Sequence, residues 1–92
     1  MNRNLYIVTY DLVNPGRNYE SLLREIKQVH TPWAMLGGSS YLIISNETAV
    51  QIRDRLNRWL DVNDKVYVGS MNHEAAWSGL GAEVVNWIME NQ

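Results

Sequence analysis

The run Leu5-Tyr6-Ile7-Val8-Thr9-Tyr10 is rich in β-branched and aromatic residues, a composition that predicts a β-strand. Asp11 follows it directly, and Asn14-Pro15-Gly16 supplies the residues of a turn a few positions later. The chain is therefore predicted to begin with a strand and a loop, with an acidic side chain at the point where the strand ends.

A helix is predicted after this loop, because the spacing of the apolar residues becomes helical. Asn18 is a suitable N-cap, and Thr31-Pro32-Trp33 ends the helix because proline cannot donate to the helical hydrogen bonds. The apolar positions at helical spacing are Tyr19, Leu22, Leu23, Ile26, Val29 and His30.

A hairpin and a second helix are predicted next. The runs Trp33-Ala34-Met35-Leu36 and Ser40-Tyr41-Leu42-Ile43-Ile44 flank Gly37-Gly38-Ser39, which is typical of two strands joined by a tight turn. Ser45-Asn46-Glu47 then offers a cap for a helix. The apolar stripe of that helix is Ala49, Ile52, Leu56, Trp59 and Leu60.

A fourth strand from Lys65 to Met71 completes the order β-α-β-β-α-β, which is that of the ferredoxin-like α+β fold. Beyond it, residues 75–80 are predicted to be extended and residues 82–90 to form a last helix. We predict one domain over residues 1–92, with a core at about 4–71 and a C-terminal extension at 72–92.

The composition excludes several classes of function. The chain has no cysteine, which excludes disulfides, thiol nucleophiles and thiolate metal sites, and its two histidines form no HExxH pattern. The formal net charge of −2 means that no overall positive field recruits nucleic acid. No apolar run approaches the length of a membrane span, and the N-terminus leads directly into a strand, so we expect a cytoplasmic protein.

Asp11 is the first candidate for chemistry, because strand ends are where loops and ligands meet. A single carboxylate makes a poor Mg²⁺ site, but a two-fold dimer would bring two copies of Asp11 together. The alternative is structural: Asp11 caps the following turn or pairs with Arg17.

A second candidate is a set of basic residues on the two predicted helices. Arg55 and Arg58 share one helix face and are able to contact phosphates. Asp54 and Asp61 lie among them, however, so a solvated face of ion pairs is the alternative.

Tyrosines and one histidine complete the candidates. A face of strand tyrosines suits base stacking, whereas the alternative is that they fill the core or an interface. His73 beside Glu74 resembles a base with its orienting carboxylate, but neighbouring residues of an extended segment point to opposite faces. The strand tyrosines are Tyr6, Tyr10, Tyr41 and Tyr67.

The segment Tyr6-Ile7-Val8-Thr9-Tyr10-Asp11-Leu12 resembles the start of the CRISPR-associated protein two family, whose first strand ends in a Tyr-Asp pair. The resemblance continues through the order of elements, the hairpin from Gly37 to Tyr41, and Tyr67-Val68. Further segments look like the SinR-like branch of stand-alone proteins in that family: Asn14-Pro15-Gly16-Arg17-Asn18-Tyr19, Ile52-Arg53-Asp54-Arg55-Leu56, Leu60-Asp61-Val62-Asn63-Asp64 and Ala76-Trp77-Ser78-Gly79.

The resemblance implies a homodimer joined face to face, with the extended segment near 75–80 added to the partner's sheet. It implies that Asp11 of each subunit holds Mg²⁺ or Mn²⁺ at the two-fold axis for RNA or DNA hydrolysis. Tyr10 then supports the strand end and Ser40 is a neighbour of the site. Members with nuclease activity share a basic stretch after the Tyr-Asp pair, where this chain has only Arg17.

Three functions follow from these observations. The first is a metal-dependent endonuclease, with Asp11 as catalytic residue and metal ligand and with Arg17, Arg55 and Arg58 contacting nucleic acid. The second is a non-catalytic dimeric scaffold that binds a protein partner in defence or toxin–antitoxin biology. The third is a small-molecule regulatory domain, which this fold often hosts.

Overall fold

The computed structural model describes residues 4–13, 19–29, 32–71 and 74–91. Its strands are β1 (Asn4–Asp11), β2 (Trp33–Gly37), β3 (Ser40–Ser45) and β4 (Lys65–Ser70). Its helices are α1 (Tyr19–Arg24), which continues as a π-helical segment (Glu25–Val29), α2 (Ala49–Asn57) and α3 (Ala82–Asn91). The order β-α-β-β-α-β and the final helix are as predicted. The turn at 14–16, the cap Asn18, and Arg17, His30 and His73 lie outside the described residues.

The four strands form one antiparallel sheet in the order β2-β3-β1-β4. The strand β1 lies inside the sheet and pairs with both β3 and β4, which are far from it in sequence. This α+β arrangement is compatible with the predicted ferredoxin-like fold.

The helices α1 and α2 cover one face of the sheet, where the core lies. Alternate residues of β1 point into this core, so Tyr6, Val8 and Tyr10 are buried while their neighbours are partly or fully exposed. Ile52 and Leu56 of α2 are fully buried and Ala49 is partly buried beside them, which confirms this part of the predicted stripe. Trp59 and Leu60 also pack against the core, but they lie beyond the end of α2 at Asn57. The core residues are Tyr6, Val8, Tyr10, Leu22, Ile26, Tyr41, Ile43, Ile52 and Leu56.

Among the residues that the structure describes, those that cover the opposite face of the sheet lie on its β2–β3 side. There, α3 and the segment at 75–80 lie over Leu42 and Leu36 and enclose an apolar cavity of about 100 Å³. On the β1–β4 side the face stays open: Ile7 and Thr9 are partly exposed and Tyr67 is 63% exposed. We call this open region, formed by Ile7, Thr9, Asp11, Lys65, Tyr67 and Gly69, the β1–β4 face.

One local prediction, the N-cap of α2, is corrected by the structure. The N-cap of α2 is Thr48 rather than the Ser45-Asn46-Glu47 run, because Thr48 and Gln51 form a reciprocal capping box with bonds of 3.2 and 2.9 Å. Ser45 instead ends β3 and is 8% exposed. Residues 75–80 pair with no strand of the described chain, and Trp77 and Leu80 line the cavity over their own sheet. The addition of this segment to a partner's sheet stays a prediction. In the part of the chain that the structure describes, no helix has the length and apolar character of a membrane span.

Candidate functional site

Asp11 lies at the exposed end of β1, on the β1–β4 face. Its partner across β4 is Lys65, and the two are a hydrogen-bonded pair, because Met71 N donates to Leu5 O in the same register. Such a pair places the two Cα atoms about 5.5 Å apart, with both side chains on one face. Thr9, Asp11, Lys65 and Tyr67 contribute to a shallow depression of about 190 Å³.

The described residues of one chain do not fit a divalent metal. No three acidic or histidine side chains come together among them, and the nearest strand partner of Asp11 is a lysine. Mg²⁺ requires near-octahedral oxygen ligation, usually with one or two carboxylates and substrate phosphate. A metal at Asp11 would therefore need the carboxylate of a second copy.

Tyr10 points away from Asp11, because successive strand residues face opposite sides of the sheet. Its ring lies in the core, 6.4 Å from the Tyr41 ring in a stacked arrangement and 6.4 Å from the Tyr19 ring edge-on. The hydroxyl is buried without a hydrogen-bond partner, and this burial, together with the neighbouring tyrosines, raises the pKa of Tyr10. Tyr10 therefore anchors the end of β1 from behind, while Asp11 faces outward.

Ser40 lies on the same face of the sheet as Asp11, and its role as a neighbour of the site stays a prediction. Ser40 pairs with Thr9 across β1 and β3, and its Oγ donates to Thr9 Oγ1 at 3.0 Å. The structure thus brings Ser40, Thr9 and Asp11 to one end of the same face.

Arg55 and Arg58 lie in the helix layer, and both guanidinium groups bind carboxylates. Arg55 Nε donates to both Glu47 oxygens at 2.9 Å, and this hydrogen bonding, with the charge of Glu47, raises the pKa of Arg55. Arg58 donates to Glu25 at 2.9 Å, and Glu25 is only 6% exposed. The predicted face of ion pairs is confirmed: Arg55 pairs with Glu47 and Arg58 with Glu25. Arg53 pairs with Asp54 on the same helix. Nucleic-acid binding by these arginines stays a prediction.

The strand tyrosines divide between core and surface. Tyr6, Tyr10 and Tyr41 are at most 6% exposed, so they are core residues and the stacking hypothesis is wrong for them. Tyr67 alone of the four is on the open face, where its ring lies over Gly69: a Cβ at Gly69 would come 2.7 Å from the Tyr67 hydroxyl oxygen.

Asp64 has a structural role that its place in the sequence did not indicate. Its Oδ1 accepts a hydrogen bond from Val13 N and its Oδ2 from Asp61 N, both at 2.8 Å. These backbone N–H groups hold the pKa of the Asp64 carboxyl below its usual range. Asp64 thereby ties the α2–β4 loop to the chain just after Asp11. The only indication in the sequence was that an aspartate stands in a turn, and this does not predict which distant residue it binds.

Taken together, the fold defines a small α+β protein with a four-stranded antiparallel sheet, three helices and one partly open sheet face. No family model matches the chain. It is similar to a crystal structure described as a hypothetical protein TT1823 from Thermus thermophilus, with a TM-score of 0.71 and 21% sequence identity. The similarity covers 87% of this chain and 95% of that one, and at this identity it concerns the fold alone.

Proposed function

We propose that this protein is a cytoplasmic homodimer of the CRISPR-associated protein two type, joined through the β1–β4 face, and that the dimer acts as a scaffold for a protein partner. The observation that carries this proposal is the incomplete cover of the sheet. The chain uses α3 and residues 75–80 to cover the β2–β3 side and leaves the β1–β4 side open. For so small a domain, burying this face against a second copy adds materially to a limited core.

The chemistry of the face suits a two-fold contact. Its middle consists of Ile7, Thr9 and the flat Tyr67 ring over Gly69, and its end carries the opposite charges of Asp11 and Lys65. In a two-fold interface, residue i of one copy contacts residue j of the other and residue j contacts residue i, so a dimer axis near this end would pair Asp11 of each copy with Lys65 of the other.

The scaffold is favoured over an enzyme by the surroundings of the charged groups. Asp11 has a lysine as strand neighbour, and Arg55 and Arg58 already bind Glu47 and Glu25. Arginines whose charge is offset in this way attract phosphate less than free ones. The described residues thus supply neither a metal cluster nor a free pair of arginines on α2.

Light scattering on the purified chain tests the dimer. We expect twice the chain mass for the protein and the chain mass for Tyr67→Asp, because a buried unpaired charge opposes association. Val62→Asp is the matched control, since Val62 is 97% exposed and lies in the α2–β4 loop, outside the residues that form the β1–β4 face. A monomeric wild-type protein, or a dimer that survives Tyr67→Asp unchanged, would overturn the proposal.

A metal-dependent endonuclease is the second candidate, favoured by the exposure of Asp11 on the same face. In a two-fold dimer, Asp11 of both subunits would be the ligands of Mg²⁺ or Mn²⁺, which would supply an activated water and offset phosphate charge. Cleavage of labelled single-stranded RNA and double-stranded DNA, with Mg²⁺ or Mn²⁺ and with chelator, tests it. Asp11→Asn should abolish cleavage while the dimer persists, and Glu90→Gln on α3 should not change it. A dimer that cleaves neither RNA nor DNA under these conditions would contradict the endonuclease and support the scaffold.

A further inference from the structure

The free edge of β2 lines a groove. The groove measures about 470 Å³ and runs between Trp33, Ala34 and Met35 of β2 and the helix α3. From α3 it is lined by Glu83, Val84 and Trp87. It lies at the opposite edge of the sheet from β4, so it is separate from the β1–β4 face.

The backbone groups of β2 that border this groove point away from the sheet. Ile44 N donates to Pro32 O at 3.2 Å, and Ala34 pairs with Leu42 in the same register. In an antiparallel pair, bonded and non-bonded positions alternate, so Pro32 and Ala34 face β3, whereas the N–H and C=O of Trp33 and Met35 face outward. Since β2 is an edge strand, these groups are available to an added strand.

The side chains of α3 give the groove its charge and shape. Glu83 and Trp87 are four residues apart, so they lie beside each other on one face of the helix. Glu83 is exposed and Trp87 is half-buried, a combination of carboxylate and indole that suits a cation with an apolar stem. The chain itself shows such a contact nearby: Lys27 Nζ lies 4.8 Å from the centre of the Trp33 ring.

We propose that this groove binds an extended segment of a partner protein that carries a lysine or arginine side chain. The segment adds to the sheet as a fifth strand, with hydrogen bonds to the backbone of Trp33 and Met35. Its basic side chain lies against Trp87 and pairs with Glu83. This is strand addition, in which main-chain bonds give affinity and side-chain contacts give specificity.

A peptide strand fits this edge better than nucleic acid or a second copy. The carboxylate of Glu83 repels phosphate, and the chain carries a net charge of −2. The edge is short and has an irregularity between Met35 and Gly37, which works against long edge-to-edge pairing of two identical strands. A segment of a few residues needs only the straight part, around Trp33 and Met35.

The experiment uses the full chain and two capped hexapeptides, one alternating lysine with valine and one alternating glutamate with valine. Amide exchange is followed by NMR. The lysine peptide should bind with a Kd below about 1 mM and slow exchange of the Trp33 and Met35 amides by about tenfold or more. The glutamate peptide should leave both amides unchanged.

Two variants on α3 separate this site from general charge effects. Glu83→Lys should lower the affinity for the lysine peptide by about tenfold. Glu90→Lys makes the same change of charge on the same helix but outside the groove lining, so it should leave the affinity unchanged. Unchanged amide spectra elsewhere show that the variants fold.

Several results would overturn the proposal. Equal binding of the two peptides, equal effects of the two variants, or protection of amides away from β2 would each do so. Protection of Trp33 and Met35 that rises with protein concentration alone would instead assign the edge to a second copy. Because the dimer is measured separately through Tyr67→Asp, neither test depends on the other.

Discussion

Removal of the Arg58 side chain is expected to destabilise the protein far more than removal of Arg53, five residues earlier on the same part of the chain. Arg58 donates to Glu25, which is 6% exposed, and the only other described hydrogen bond to that carboxylate comes from Trp59 Nε1 at 3.2 Å. The second oxygen of Glu25 is buried without a partner. Arg58→Ala therefore leaves a buried carboxylate whose only described hydrogen-bond donor is the indole N–H of Trp59.

The magnitude follows from the exposure of the two partners. A hydrogen bond to a charged group contributes about 1.5–3 kcal/mol to stability. Because the Arg58 side chain is 59% exposed, we expect a loss of about 2 kcal/mol, in the lower half of that range, and a Tm lower by roughly 8–16 °C. The Arg53–Asp54 pair is 51% and 61% exposed, so Arg53→Ala should cost at most about 0.5 kcal/mol.

Urea unfolding at a fixed protomer concentration, followed by circular dichroism, measures both variants. Glu25→Gln in the Arg58→Ala background should recover part of the loss, because it removes the uncompensated buried charge. Equal stability of Arg58→Ala and Arg53→Ala would refute this account of Arg58. A stable Arg58→Ala protein that binds nucleic acid more weakly would make Arg58 a phosphate ligand instead.

Three further variants test other contacts. Tyr10→Phe removes a buried hydroxyl without a partner, so stability at pH 7 should hold or rise by up to about 1 kcal/mol. Burial raises the pKa of Tyr10, so the unfolded chain loses this proton at a lower pH than the folded protein does. The free energy of unfolding is therefore unaffected below the unfolded-state tyrosine pKa of about 10 and falls as pH rises above it. In an alkaline titration, Tyr10→Phe should show a shallower fall in the free energy of unfolding than the unchanged protein. Thr48→Ala breaks the capping box with Gln51 and should cost about 1 kcal/mol in thermal unfolding, with Thr48→Ser retaining most of it. The lowered pKa of Asp64 stabilises the folded protein above the unfolded-state pKa of about 3.9, and this stabilisation is lost as pH falls below that value. Asp64→Asn should therefore reduce the fall in the free energy of unfolding at acid pH. The same fall in the variant and in the unchanged protein would contradict the role of the bond from Val13 N to Asp64.

The elements that the sequence predicted well are those with a strong local pattern. The alternation in β1 predicts both that Tyr10 is buried and that Asp11 faces outward, and the 3.6-residue spacing of α2 predicts its buried stripe. The hairpin followed from its glycines, since Gly38 has a φ of 52° that favours a residue without a side chain. The predicted cap of α2 was wrong, because Ser45, Asn46 and Thr48 are all good cap residues and the choice depends on where β3 ends.

The amino-acid sequence by itself determined the order of the elements, the residues that turn inward and the presence of a carboxylate at the end of β1. These properties depend on patterns within about ten residues, which act before distant parts of the chain meet. Only the tertiary structure decided that Asp64 holds Val13 across 51 positions, that Arg58 serves the buried Glu25, and that α3 covers one side of the sheet while the other stays open. Such contacts join residues that are far apart in the chain, and each of these residues has many possible partners of the same chemistry. The packing of the whole fold decides which partner is brought within reach.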